Sequence, residues 1–185
     1  AQEAARARPQ PDDGLATRQG QAASSPARSL SRPSPPPPRA IVAVPDVEAV
    51  AEARRIAAAA GTLGDLQAAI ADFGGCNLRN SARSTVFLGG NTEARIAIAA
   101  GVPSSDDDRD GLPFSGPAGV MLDKMLAGIE LGRKDVLLFN LIPWRPPGNR
   151  QPTPHEMEIC RPFGLRLLEL AKPRQLLTLG NMPAR

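Results

Sequence analysis

The stretch of sequence that decides the fold lies at residues 136–154 and reads VLLFNLIPWRPPGNRQPTP. Val136 to Ile142 form an apolar run interrupted by one polar residue, Asn140, which is typical of a buried strand in a parallel sheet. A basic, proline-rich loop follows. Because ligands of open α/β sheets bind beyond the carboxyl ends of the strands, Asn140 is the first candidate for a ligand-binding residue.

Helical and strand patterns alternate around this stretch. Short apolar runs at 96–99 and 176–179 predict two further strands. Helical patterns begin after Asp46 and Thr62, at Gly116, and at the capping box that starts with Thr153. The sequence therefore predicts an α/β fold of three layers, α/β/α, around a central parallel sheet.

Finer expectations concern the segments between these elements. Residues 101–114 are expected to form a long polar loop, and Pro162 should bend the last helix, which buries Met157. The helix from Gly116 to Leu131 should bury the apolar side chains of Val120, Met121, Leu122, Met125, Leu126 and Ile129. Only three strands are predicted, so the sheet is expected to be incomplete at its C-terminal end.

The chain has 185 residues, enough for one domain and a tail. Residues 1–44 are rich in proline, alanine and arginine and are expected to be disordered, because they bury too little apolar surface. This tail is either a passive linker or a weak electrostatic contact to DNA. The domain is expected over 45–185, with N-terminal helices over 46–72 and a partial α/β core over 85–185.

Charge, hydropathy and cysteine content favour a nucleic-acid-binding protein over a membrane-spanning or disulfide-rich one. The formal net charge is +3, which is compatible with a nucleic-acid partner. No apolar run approaches the roughly 20 residues of a membrane span. The two cysteines are far apart and do not make a disulfide framework, so we expect a cytoplasmic protein, and we expect it to be a monomer.

Two segments resemble the uracil-DNA glycosylase superfamily, specifically the iron–sulfur, thermophile-type branch known as family four. The first family segment reads like N-V-x-K-C-R-P-P-G-N-R-x-P-T-P-x-E, and the run from Asn140 to Glu156 matches it almost throughout. The second reads like G-E-A-P-G-x-x-E-D-x-x-G-x-P-F-x-G. Residues 100–116 read AGVPSSDDDRDGLPFSG and match its second half well.

The resemblance implies hydrolysis of the N-glycosidic bond of a flipped-out deoxyuridine during base excision repair of DNA. It assigns substrate-binding positions to Pro103, to Phe114 as the residue that stacks on the base, and to Asn140 as the amide that pairs with uracil. Asp107 matches an acidic family position and is the catalytic candidate. Each has a structural alternative: core packing for Phe114, a cap on a loop amide for Asn140, and a solvated loop for Asp107.

The basic loop and the only histidine complete the candidate residues. Arg145, Asn149 and Arg150 match loop positions that could contact DNA phosphates, although solvated loop charges explain them equally well. A family loop like H-P-S, whose histidine stabilises charge on the leaving base, is absent from these residues. His155 is expected to be exposed and not catalytic.

Two further departures concern catalysis and metal. Gly101 stands where the family has a glutamate associated with the hydrolytic water, and Ser104 replaces a glycine. The family holds a 4Fe–4S cluster with four cysteines. Cys76 and Cys160 match two of those positions, whereas Phe73 and Trp144 replace the other two, so no metal or other cofactor is expected. The alternatives to a glycosylase are a non-catalytic uracil- or DNA-binding relative and an inactive truncated fragment.

Overall fold

The structure is a computed structural model that describes residues 46–184. The expected tail at 1–44 lies outside the described residues. The helices are α1 (Asp46–Ala59), α2 (Leu63–Asp72), α3 (Ser105–Asp110), α4 (Gly116–Ala127) and α5 (Pro154–Ala171). The strands are β1 (Leu88–Gly90), β2 (Ile96–Ala100), β3 (Val136–Asn140) and β4 (Gln175–Thr178). Over residues 46–184, no helix combines the length and the apolar character that a bilayer span requires.

The strands form one sheet in the order β1-β3-β2-β4. β2 pairs in parallel with β3, placing Ile96 opposite Val136 and Ala100 opposite Asn140. β4 pairs in parallel with the other side of β2. The three predicted strands thus pair in parallel as expected, whereas the unpredicted β1 runs antiparallel to β3, so the sheet is mixed and has four strands instead of three. β1 escaped prediction because a three-residue strand with two glycines has no apolar alternation.

Helices cover both faces of the sheet, and the three-layer α/β/α prediction is confirmed. Alternate residues of β3 point to opposite faces. Leu137 and Phe139 join the cluster formed with α1, α2 and α5, while Val136 and Leu138 join the cluster formed with α4. All of β3 is buried, as the apolar run predicts.

The segment after β2 differs from the expected loop, because it contains the short helix α3. The Ser104 hydroxyl caps the first turn by accepting a hydrogen bond from the Asp107 N–H, and the Asp107 carboxylate in turn accepts one from the Ser104 N–H. Gly111 ends the helix in the left-handed conformation, with φ of 72°. The sequence contains this capping box at residues 104–107, but the acidic residues around it favoured the interpretation as a polar loop.

Helix α4 is shorter and less buried than predicted. It ends at Ala127 and buries Gly119, Leu122 and Leu126 against the sheet. The remaining apolar side chains of the expected core are exposed, namely Val120, Met121, Met125 and Ile129. A helix that rests on a sheet along one stripe buries about one residue per turn, so the long apolar pattern overstated its core face.

Helix α5 begins where the capping box predicts. Thr153 caps it, and Glu156 accepts the Thr153 N–H at 2.7 Å. Glu156 is 8% exposed and also binds Arg150 through two hydrogen bonds of 2.6 and 2.8 Å. Helix α5 continues through Pro162, and Met157 is 37% exposed, so its predicted burial was wrong.

Replacing Glu156 with glutamine should destabilise the domain by about 1–3 kcal/mol at neutral pH, because a charged pair and a helix cap are lost. The Arg150 hydrogen bond lowers the pKa of Glu156 in the folded protein. The stabilisation is therefore present above the pKa of the unfolded chain and is lost as pH falls through the lower folded value. Urea denaturation of both proteins between pH 7 and pH 3 measures the difference.

Glu158→Gln is the matched control, because Glu158 lies in the same helix and its ion pair within the described part of the chain is an exposed one, with Arg161 at 3.7 Å. Its effect should stay within about 0.5 kcal/mol. A Glu156→Gln effect that is equally large at pH 3 and pH 7 would contradict the ionic origin.

Candidate functional site

The carboxyl ends of β2 and β3 bring Asn140 and Phe114 to one face of the sheet. Asn140 follows Val136 and Leu138 at a spacing of two, so its side chain points to their face. Val136, Leu138 and Phe114 belong to a single buried cluster on that face. This is the edge at which open α/β sheets bind ligands.

Asn140 is almost fully buried, with 1% of its surface exposed. Its main-chain N–H donates to the carbonyl oxygen of Phe87 at 3.0 Å. Its side-chain Nδ2 donates to the carbonyl oxygen of Val86 at 3.4 Å, a long and therefore weak hydrogen bond.

Phe114 lies in a sharply shaped loop between α3 and α4. Its φ is 57°, in the left-handed region, and Gly111 and Gly116 on either side have φ of 72° and 67°. For a phenylalanine this backbone costs about 1–2 kcal/mol, and such strain clusters at functional sites. Its carbonyl oxygen accepts a hydrogen bond from Arg133, a residue that sequence patterns did not single out because it lies 19 positions away.

The acidic run of α3 is more ordered than a solvated loop. Asp107 is 6% exposed, and its two carboxylate oxygens accept the N–H groups of Ser104 at 2.8 Å and Ser115 at 2.6 Å. Asp108 is equally buried and accepts the N–H groups of Arg83 and Ser84. Asp107 therefore places a buried negative charge next to the Phe114 loop.

Gly101 and Pro103 lie just after β2. Pro103 is buried. A side-chain carbon built on Gly101 would lie 2.8 Å from the sulfur and 3.2 Å from the Cβ of Met182. Met182 thus occupies the space beside position 101. Sequence reasoning missed this contact, because the two residues are far apart in the chain.

The basic loop after β3 is internally bonded. Arg145 Nε donates to Asn149 Oδ1 at 2.9 Å, and Arg145 Nη1 lies 3.9 Å from Asp108 Oδ2. Arg150 is held by Glu156, as described above. His155 is partly buried and takes part in an interaction, so the expectation that it is exposed was wrong.

Aromatic rings surround the two cysteines. Phe73 and Trp144 stack with ring centroids 6.3 Å apart, and Phe73 meets Phe163 edge to face at 5.3 Å. The indole Nε1 of Trp144 donates to the Thr85 hydroxyl at 3.1 Å. Both cysteines are buried in the same cluster as these rings.

The thiols of Cys76 and Cys160 are both buried, and each affects the pKa of the other. Donation to the Cys76 sulfur, together with burial, raises the pKa of Cys160, so this thiol is protonated at neutral pH. Within residues 46–184, no group of three or more histidine, cysteine or acidic side chains is arranged to hold a metal ion. A cubane cluster needs four thiolates, and the residues at this location do not fit one.

A family model described as the uracil DNA glycosylase superfamily matches residues 87–185. The chain belongs to this superfamily. The match covers β1 to β4 and with them every candidate residue of the site, while α1 and α2 precede it.

Curated relatives place this superfamily member near the type-4 branch. It is 40% identical over 109 residues to a Type-4 uracil-DNA glycosylase of Archaeoglobus fulgidus, covering 59% of this chain and 55% of the relative. A Type-4 uracil-DNA glycosylase of Thermotoga maritima is 37% identical over 99 residues, covering 53% of this chain and 52% of the relative. The chain spans about half the length of the curated relatives it matches. The predicted superfamily is thereby confirmed, and these relatives support the predicted family-four branch.

Gly101→Glu should destabilise the domain by about 1–3 kcal/mol, because the new side chain enters space that Met182 fills. Adding Met182→Ala should recover part of this loss. Thermal or urea denaturation of the unaltered protein, the two single variants and the double variant measures the coupling free energy between the two positions. Gly74→Glu is the control, because nothing lies within 4 Å of a side-chain carbon there. Strict additivity of the two substitutions would contradict the contact.

Proposed function

We propose that this protein is a uracil-DNA glycosylase that hydrolyses the N-glycosidic bond of a flipped-out deoxyuridine. The observation that carries the proposal is the position of Asn140 at the carboxyl end of β3, on the same sheet face as Phe114. Identities of 32–40% to glycosylases named type-4 support the same reaction class.

The chemistry assigns a role to each residue. Asn140 can accept a hydrogen bond from uracil N3–H and donate one to O4, a pattern that cytosine does not match. Phe114 offers an aromatic face to the base, and Pro103 belongs to the segment that follows β2 at the same edge of the sheet. Cleavage develops positive charge on the sugar, and the buried carboxylate of Asp107 stabilises it electrostatically. This role requires charge and proximity, so the two N–H groups that Asp107 already binds do not prevent it.

A second candidate function is binding of uracil or DNA without turnover. It is favoured by Gly101, which carries no carboxylate where the family has one, and by Met182, which fills the adjacent space. Under this alternative Asn140 and Phe114 keep their roles in recognition, while the water is not activated. The two functions differ in one measurable quantity, the release of free base.

Uracil-containing DNA is the proposed partner. Arg145 and Asn149 are the preferred phosphate contacts, since both lie in the loop directly after β3 and the Arg145 guanidinium is bound mainly by Asn149. Arg150 contributes with the N–H groups that Glu156 leaves free. The monomeric state, the cytoplasmic location and the division into tail and domain remain predictions.

We also propose that this protein works without the 4Fe–4S cluster of its branch. The stacked pair of Phe73 and Trp144 fills two ligand positions with apolar volume. The remaining cysteines, Cys76 and Cys160, are free thiols buried in the same apolar cluster as the rings. Packing of the rings replaces the ligand bonds as the link between α2, the loop after β3 and α5.

Single-turnover release of uracil from a defined oligonucleotide tests the enzyme proposal. The protein should release uracil about 10²–10³-fold more slowly than a complete type-4 relative, because position 101 lacks a carboxylate. Asn140→Ala should lower the remaining rate by about 10²–10³-fold, since it removes a donor that acts at the reacting base.

Asn80→Ala, at an exposed position of a 3₁₀ turn, is the control and should leave the rate unchanged. Tight binding of the uracil oligonucleotide without any base release would establish the binding function instead. Release that is insensitive to Asn140→Ala would refute the assigned site.

Iron analysis tests the proposal about the cluster. The purified protein should be colourless and free of stoichiometric iron. The double variant Phe73→Cys/Trp144→Cys should gain iron and broad visible absorbance on anaerobic reconstitution, because it restores four thiols at one location. Trp144→Cys alone supplies three thiols and is the control. Stoichiometric iron in the unaltered protein would contradict the proposal.

A further inference from the structure

The peptide group that joins Phe114 to Ser115 is bound on both sides by charged side chains. Arg133 Nη2 donates to the carbonyl oxygen of Phe114 at 2.6 Å. The N–H of Ser115 donates to Asp107 Oδ1, also at 2.6 Å. Both bonds are short and charge-assisted, and charge-assisted bonds are roughly twice as strong as neutral ones. Together they fix the plane of this peptide group.

The guanidinium of Arg133 is itself oriented. Its Nε donates to Asp123 Oδ1 at 2.7 Å, while Nη2 reaches Phe114. Arg133 lies in the 3₁₀ turn Arg133–Asp135 that leads into β3, and Asp123 lies on α4. The planar guanidinium of Arg133 therefore connects α4, the start of β3 and the Phe114 loop. A lysine, with a single ammonium group, could not form both hydrogen bonds in this geometry.

Gly119 provides the space for this contact. A side-chain carbon there would collide with the carbonyl oxygen of Phe114 and lie 2.6 Å from Arg133 Nη2. Gly119 is buried within α4 and has helical geometry. A glycine is needed there because it has no side chain, and not because of an unusual backbone conformation. Arg133 and Gly119 thus both lie directly against the carbonyl oxygen of Phe114.

We propose that Arg133 is a positioning residue that orients the Phe114 ring for stacking on the flipped base. The stacking role rests on the proposed glycosylase function, whereas the hydrogen bond between Arg133 and Phe114 is independent of it. Phe114 has φ of 57°, a conformation that a phenylalanine leaves unless its surroundings impose it. Arg133 acts through Phe114 and does not touch the base. Loss of Arg133 releases the carbonyl, and the loop relaxes away from the stacking geometry.

Fluorine NMR of the full chain labelled with fluorophenylalanine tests the contact without reference to activity. The chain has five phenylalanines, and Phe114→Leu identifies the resonance of Phe114. Arg133→Met should shift or broaden that resonance and leave the other four in place. Arg161→Met, which removes an exposed arginine whose ion pair among residues 46–184 is with Glu158, should change none of them. An unchanged Phe114 resonance in Arg133→Met overturns the proposal.

Gly119→Ala and Arg133→Lys provide independent variants. Gly119→Ala keeps the arginine but displaces the carbonyl, so it should perturb the same resonance; thermal unfolding verifies that it is folded. Arg133→Lys keeps the charge without the fork and should give an intermediate spectrum. A spectrum of Arg133→Lys equal to that of the unaltered protein would mean that charge alone suffices and would overturn the positioning role of the fork.

A binding measurement links the contact to function. Arg133→Met should weaken binding of a uracil-containing oligonucleotide about tenfold, because base stacking on an aromatic ring is partly lost. Binding of the same oligonucleotide with thymine in place of uracil should change by less than about twofold. If Arg133→Met moves the Phe114 resonance but the unaltered protein neither binds nor cleaves uracil DNA, the proposed function fails and the contact stands. If uracil is released equally by both proteins, the positioning role fails and the function stands.

Discussion

The parallel pairing of β2 with β3 is the constraint on which the rest of the structure depends. It sets Ala100 opposite Asn140, so the loops that follow both strands start from the same edge. β3 is buried on both faces, and a shift of one residue would move every side chain to the opposite cluster. The register therefore determines at once where the amide lies, which face carries Phe114 and which cluster receives Phe139.

Elements with strong local signals could be predicted from the sequence. The apolar run of β3 and the capping box at Thr153 gave correct positions because each depends on neighbouring residues alone. β1 could not be found, since its pairing partner is β3 and its own three residues carry no pattern. The exposure of Met121 and Met125 was also hidden, because burial depends on what packs against a helix.

The residues of the candidate site likewise fall into those with a local sequence signal and those without one. Asn140 and Phe114 were predicted as site residues from local motifs, and their roles stay predictions. Arg133 and Met182 were not, since both reach the site across long separations in the chain. Asp107 shows the limit of a motif: the type of residue was recognised, but its two hydrogen bonds to main-chain N–H groups could be known only from three dimensions.

The outer edge of β4 combines free strand geometry with exposed apolar side chains. It is the last strand of the sheet within the described residues, and Leu176 and Leu177 are 46% and 51% exposed on its opposite faces. A strand edge with unpaired main-chain groups and apolar side chains is a template for adding another strand. Within residues 46–184, the outer edge of β4 is therefore the place where a further strand can join this sheet through main-chain hydrogen bonds, covering Leu176 and Leu177 as it does so.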